Sequence, residues 1–180
     1  LTEEKIGYVS KIFDIYPDSN NVWIASSSGL TCLDRRSKNK IKFGIEHLFN
    51  QINVYDLEKI DDDLWIGSNA GVHILSITNP LLRNAEELGS KGFSELISDV
   101  SIIKYFDGLV YIVSQVGIMV YNIEDKNWEL LYPSVTYNNK IIHTLAINKK
   151  FIFLGTDFGL IRIDKKTGLL REYNFKFLVI

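Results

Sequence analysis

Leu64-Trp-Ile-Gly-Ser-Asn-Ala-Gly-Val-His-Ile-Leu75 is the stretch that decides the fold. A short β-branched and aromatic run, a Ser-x-x-Gly segment and a second apolar run make a hairpin. The strand residues suit a pleated surface, the hydroxyl bonds amides inside the turn, and glycine takes the positive φ that ends it. The same arrangement returns at Ser26-Ser-Ser-Gly29, Ser114-Gln-Val-Gly117 and Thr156-Asp-Phe-Gly159, with successive glycines 42, 46 and 42 residues apart. An aromatic stands six residues before each glycine: Trp23, Trp65, Tyr111 and Phe153. One structural unit is therefore copied four times. Ser26, Ser68, Ser114 and Thr156 read as turn formers, not nucleophiles.

Working outward, each hairpin has a strand upstream and a more polar one downstream. The upstream strands are Val9 to Tyr16, Val54 to Ile60, Val100 to Phe106 and Ile141 to Ile147; the downstream ones are Lys40 to Ile45, Gly92 to Ile97, Trp128 to Tyr132 and Leu170 to Phe175. Four antiparallel strands in about 42 residues correspond to one blade of a β-propeller. The expected fold is all-β, a propeller with four blades at about residues 6–49, 50–98, 99–138 and 139–180, read as part of a larger propeller or a unit that meets a second chain, with a closed four-bladed ring as the third option. Leucine-rich repeats are shorter and carry one strand each, and helical repeats lack the continuous β pattern. With the four strands of each blade lettered A to D in chain order, the strand-B aromatics are expected to fill the wedge between adjacent blades. The second copy carries an insertion, in which Leu81 to Leu88 is expected to make two helical turns ended by Gly89.

Composition narrows the function classes. With 46% hydrophobic and 23% charged residues in 180, the chain is ordinary for a globular protein, and a net charge of -2 leaves no basic excess to neutralise a phosphate backbone. Nucleic acid is not an expected partner. No apolar run reaches the roughly 20 residues needed to span a bilayer. The single cysteine, Cys32, falls in a strand pattern as a small buried thiol, so no internal disulfide forms. The chain starts at Leu1 without methionine, which reads as an excised or processed piece.

Chemistry-bearing motifs are sparse. His47, His73 and His143 are not at metal-ligand spacing, and Asp61-Asp-Asp63 lacks the alternation of a calcium loop, so neither metal nor cofactor is expected. There is no glycine-rich phosphate cradle and no Gly-x-Ser-x-Gly elbow. In a propeller the B–C turns and the starts of strand A share one face around the central channel. That places Tyr8, Asn53, Tyr55 and His143 beside Asn69, Gln115 and Asp157 as candidate ligand-binding residues. Each also has a plain structural reading as a turn or strand-end residue.

Leu64-Trp-Ile-Gly-Ser-Asn-Ala-Gly-Val72, with Asp61-Asp-Asp before it, resembles the two-component regulator propeller repeat, and so does Phe153-Leu-Gly-Thr-Asp-Phe-Gly-Leu-Ile-Arg-Ile-Asp164. Asp164-Lys-Lys-Thr-Gly-Leu-Leu-Arg-Glu-Tyr173 is similar to the unit's usual continuation. Copies one and three depart from it, with Ala25 and Val113 where glycine is usual and Tyr111 for tryptophan. The resemblance implies the periplasmic sensor region of a bacterial hybrid histidine kinase, often responsive to glycan breakdown products, in rings of about seven blades. It implies a non-catalytic domain that senses an oligosaccharide or a protein ligand and meets neighbouring domains or a second copy. A scaffold of the cell envelope, and a propeller lyase or glycosidase, are the alternative classes. The enzyme would need converging acid and base groups, which the four copies do not repeat.

Overall fold

The structure, a computed structural model, describes residues 10–41, 46–77, 82–84, 98–133 and 140–174. These form four four-stranded antiparallel sheets. The first contains β1 (Ile12–Pro17), β2 (Asn21–Ser26), β3 (Gly29–Asp34) and β4 (Lys40–Ile41). The second contains β5 (Val54–Ile60), β6 (Asp63–Ser68), β7 (Gly71–Ser76) and β8 (Leu82–Asn84). The third contains β9 (Ile102–Phe106), β10 (Leu109–Ser114), β11 (Gly117–Asn122) and β12 (Asn127–Pro133), and the fourth β13 (Ile142–Ile147), β14 (Phe151–Thr156), β15 (Gly159–Asp164) and β16 (Leu170–Tyr173). In every sheet the strands lie side by side in chain order.

The turns follow from the sequence as expected. The hydroxyls of Ser26, Ser68 and Thr156 each donate to the carbonyl of the glycine three residues on at 3.0 Å, and Ser114 does so at 3.4 Å. Ser26, Ser68 and Thr156 also accept an amide from two residues on. Asp34 and Asp164 cap the C–D turns by accepting the amides of Ser37 and Thr167, which hold both carboxyls below their usual range. These are side-chain mimics of backbone turns.

Each sheet has two faces, and every junction joins the trailing face of one sheet to the leading face of the next. Trp23, Ala25, Leu30 and Cys32 of the first sheet pack on Val54, Leu57, Leu64, Ile66 and Leu75 of the second. Trp65, Val72 and Ile74 meet Val100, Ile103, Val110, Ile112, Met119 and Tyr121 of the third. Tyr111, Val113, Ile118 and Val120 meet Ile142, Leu145, Ile152, Leu154, Ile161 and Ile163 of the fourth. The strand-B rings Trp23, Trp65 and Tyr111 thus fill the wedges between sheets. Contacts also link the first strands in sequence, β1 to β5, β5 to β9 and β9 to β13.

The insertion corrects one expectation. Leu82–Asn84 is a strand, not part of a helix, because Leu82 pairs with Leu75 and joins its apolar cluster while Arg83 pairs with Ile74 and reaches Asp63. Alternate residues therefore serve opposite faces, a period of two that no helix allows. This strand completes the second sheet in place of Gly92 to Ile97, which lies outside the described residues. The first sheet's fourth strand is Lys40–Ile41, and residues 42–45 are outside the described set. A 3-10 turn at Glu46–Phe49 had no sequence signal; it buries Phe49 against the first and second sheets. Among the described residues no helix is long and apolar enough to cross a membrane.

Candidate functional site

Strand A of the first, second and fourth sheets begins with an irregular step. In the first sheet Ile12 pairs with Ser26 and Asp14 with Ala25, leaving Phe13 unpaired between them. Tyr55 takes the same place between Val54 and Asp56, and His143 between Ile142 and Thr144. In the third sheet the equivalent residue is Ser101, whose amide reaches the Val113 carbonyl just before Ile102 pairs with Val113. An extra residue of this kind turns its side chain away from the sheet's own alternation. All four, Phe13, Tyr55, Ser101 and His143, line one open cavity of about 690 Å³.

Clasps hold this face together. Asn53 donates its amide to Asn69 Oδ1 and accepts the Asn69 amide, each at 3.0 Å, so strand A of the second sheet is tied to its own B–C turn. Lys11 and Ser27 do the same in the first sheet, and the Gln115 side chain donates to Asp99 in the third. Ser68 and Asn69 carbonyls then accept the amides of Val100 and Asp99, joining the second sheet to the third. The cavity wall combines an edge-to-face pair, Phe13 and Tyr55 at 5.2 Å, with Gln115, Asp99, His143, exposed Ile141 and Lys140, which is ion-paired to Glu172 at 2.6 Å. Such a mixture of apolar surface and convergent polar groups suits a ligand with an apolar face and hydrogen-bonding edges.

Of the residues expected from sequence, Tyr55, Gln115 and His143 come together on the cavity. Asn53 and Asn69 stand beside it as clasp residues, and Asn53 Nδ2 reaches the Tyr55 hydroxyl at 3.5 Å. Asp157 is exposed in the last B–C turn and is not among the lining residues. Tyr8 lies outside the described residues. Sequence reasoning missed Phe13, Ser101 and Asp99; the signal was available, since each occupies a position equivalent to one that was chosen.

A second set of carboxylates lies beneath this face. Asp14 Oδ2 accepts the Leu57 amide at 3.0 Å, Asp56 Oδ2 the Ile103 amide at 2.6 Å, and Glu58 the Tyr105 amide at 2.9 Å while pairing with Lys104. Each bond runs from one sheet's first strand to the next sheet's first strand. Burial pushes the Asp56 carboxyl up to about 7 against the pull of the Ile103 amide, with Asp14 and Glu58 adding to the rise. Burial likewise lowers His73, whose Nε2 lies 3.2 Å from Ser68 Oγ and whose ring packs on Phe49. Burial is also the main cause raising the Cys32 thiol to about 11, a poor nucleophile at neutral pH. Among the described residues no cluster of three or more His, Cys, Asp or Glu side chains is placed to hold a metal ion.

The sequence matches no protein-family model and no curated protein. Solved structures share its fold. The extracellular domain of the hybrid two-component system BT4673 from B. thetaiotaomicron superposes with a TM-score of 0.76 at 15% identity, over 98% of this chain and 24% of that one. The extracellular domain of BT3049 from the same organism gives 0.64 at 16% identity, over 98% of this chain and 26% of that one. The computationally designed Ika8 protein gives 0.66 at 18% identity, over 93% of this chain and 50% of that one. The chain thus spans about a quarter of the two natural structures. Its fold is that of about a quarter of each of these two extracellular domains of B. thetaiotaomicron hybrid two-component systems.

Proposed function

We propose that the four sheets are consecutive blades of a β-propeller, at about residues 6–49, 50–98, 99–138 and 139–180, and that the domain is a non-catalytic ligand-sensing module of a bacterial envelope sensor, facing the periplasm. The observation that carries this reading is the convergence on a single cavity of four residues at equivalent positions, one per sheet, three of them at a bulge in strand A. Sharing one position per repeat lets a symmetric scaffold present four different side chains, Phe13, Tyr55, Ser101 and His143, to one ligand. The similar extracellular domains belong to hybrid two-component systems, which supports a signalling role. Ligand contact at the cavity favours one arrangement of neighbouring domains and shifts an existing equilibrium toward signalling.

The ligand class proposed is an oligosaccharide, whose ring faces suit Phe13 and Tyr55 and whose hydroxyls suit Gln115, Asp99 and His143. A calorimetric screen of oligosaccharide mixtures against the protein, repeated with Tyr55→Ala and His143→Ala, tests this. Binding weakened at least about 10-fold in both variants, with melting temperature unchanged, is the expected result. Binding equal to the parent in both variants would place the ligand elsewhere and overturn the reading.

A further inference from the structure

The sixth residue after each turn glycine leaves its sheet in the same way. The amides of Arg35, Ile77, Ile123 and Lys165 reach the carbonyls of Asn20, Asp62, Gly108 and Lys150, so the four positions are equivalent. What they carry differs. Ile77 packs against the buried cluster of the first junction and Ile123 against that of the second, each adding an aliphatic side chain to the wedge. At the third junction the position is Lys165, and it lines an open pocket of about 360 Å³. Small-molecule sites start at roughly this size, 300 Å³.

Tyr111 and Tyr132 also line the pocket and are only 1% and 9% exposed, yet among the described residues neither hydroxyl makes a hydrogen bond. Buried phenols usually find a partner. Burial, with Tyr111 and Asp164 nearby, holds the Tyr132 phenol above its usual range, so it stays a donor at neutral pH. The charges are equally unanswered. The Lys165 ammonium lies 5.0 Å from the ring centre of Phe106 and 5.5 Å from that of Tyr111, and such rings attract a cation without supplying a counter-charge. Asp125 and Glu129 line the pocket from the third sheet, and among the described residues neither they nor Lys165 form an ion pair. In the second sheet the residue equivalent to Glu129 is Arg83, and Asp63 answers its charge; in the third, Leu109 stands at the Asp63 position.

We infer that this pocket binds a small zwitterion of the amino-acid type, with its carboxylate on Lys165, its ammonium on Glu129 and Asp125, and its side chain on Leu109, Val120 and Leu131. The charge pattern selects this class. A simple anion would meet two carboxylates, a simple cation would meet Lys165, and a neutral sugar would leave all three charges unanswered. The site is separate from the cavity described above: Asp125 and Lys165 follow the ends of β11 and β15, whereas Gln115 precedes the start of β11. The inference therefore does not depend on what the cavity binds.

Calorimetry with each standard L-amino acid in turn, on the protein and on Lys165→Ile, tests this. At least one is expected to bind, and Lys165→Ile to weaken it at least about 10-fold. The melting temperature of that variant is expected to equal or exceed the parent's, because isoleucine already serves at this position in two sheets. The N-acetyl and the amide derivatives of the bound amino acid, each lacking one charge, are expected to bind at least about 10-fold more weakly. Tyr55→Ala should leave the binding unchanged. Should Lys165→Ile fail to fold, Glu129→Gln, at an exposed position, is expected to weaken binding likewise. Failure of every amino acid to bind, equal binding by the variants at Lys165 or Glu129, equal binding of the derivatives, or loss of binding in Tyr55→Ala would overturn the proposal.

Discussion

Asp56 carries the sharpest consequence at the scale of a residue. It is half-buried between the second and third sheets, accepts the Ile103 amide, and faces Asp14, Glu58 and Lys104. Its carboxyl is pushed up to about 7 from an ordinary value of 3.8, chiefly by burial, so the folded protein binds a proton that the unfolded chain has released across that interval. The stability from this proton is fully present below about pH 4 and is lost as pH rises through 7. Asp56→Asn keeps an acceptor for the Ile103 amide without the charge. It is expected to melt higher than the parent at pH 8, with the advantage vanishing toward pH 4; every tenfold difference in proton affinity between the folded and unfolded chain corresponds to about 1.4 kcal/mol. Thermal melts of both proteins across this range check it, and parallel curves would show that Asp56 titrates normally. Nothing in the sequence marked this residue. Asp14 and Asp56 sit in strands whose alternation reports only which face is apolar, and the amides they accept are 43 and 47 positions away. Tyr55, Gln115 and His143 were legible because position within a repeat is local information, and Phe13 and Ser101, at the positions equivalent to Tyr55, carried the same signal.

At the scale of the element, the hairpins were readable since each depends on four adjacent residues: a hydroxyl, two turn residues and a glycine. The strand at Leu82–Asn84 was not, because Leu81 to Leu88 has helical composition, and pairing with His73, Ile74 and Leu75 overrode that preference. The turn glycines do more than bend the chain. Gly29 has φ 102°, and a Cβ there would run into the Phe49 carbonyl, which the 3-10 turn brings against the first hairpin. Gly168 has φ 69° with open space around it. Gly29→Ala therefore combines backbone strain with displacement of a buried segment and is expected to cost about 2–4 kcal/mol. Gly168→Ala meets only the left-handed penalty, about 1–2 kcal/mol. Urea unfolding of the two variants compares them directly, and equal losses would mean that the packing of Phe49 on the turn contributes nothing.

At the scale of the molecule, stability in a stack of repeats is a sum of within-sheet terms and nearest-neighbour junctions, so a sheet's protection depends on how many junctions it enters. Among the described residues the second and third sheets each enter two, through leading and trailing faces, whereas the first and fourth enter one. The carboxylate bonds follow the same gradient. Asp14, Asp56 and Glu58 tie the first three sheets, while Ile102 occupies the Asp56 position at the last junction and offers no acceptor there. In the 180-residue chain, amide hydrogen exchange is therefore expected to be slowest in β6 and β10, faster in β1, where Ile12 and Ile15 face solvent, and fastest in β16, an edge strand on the least tied sheet. Uniform exchange across all four sheets would mean that the array unfolds as one unit, with junctions strong enough to erase the difference between middle and end.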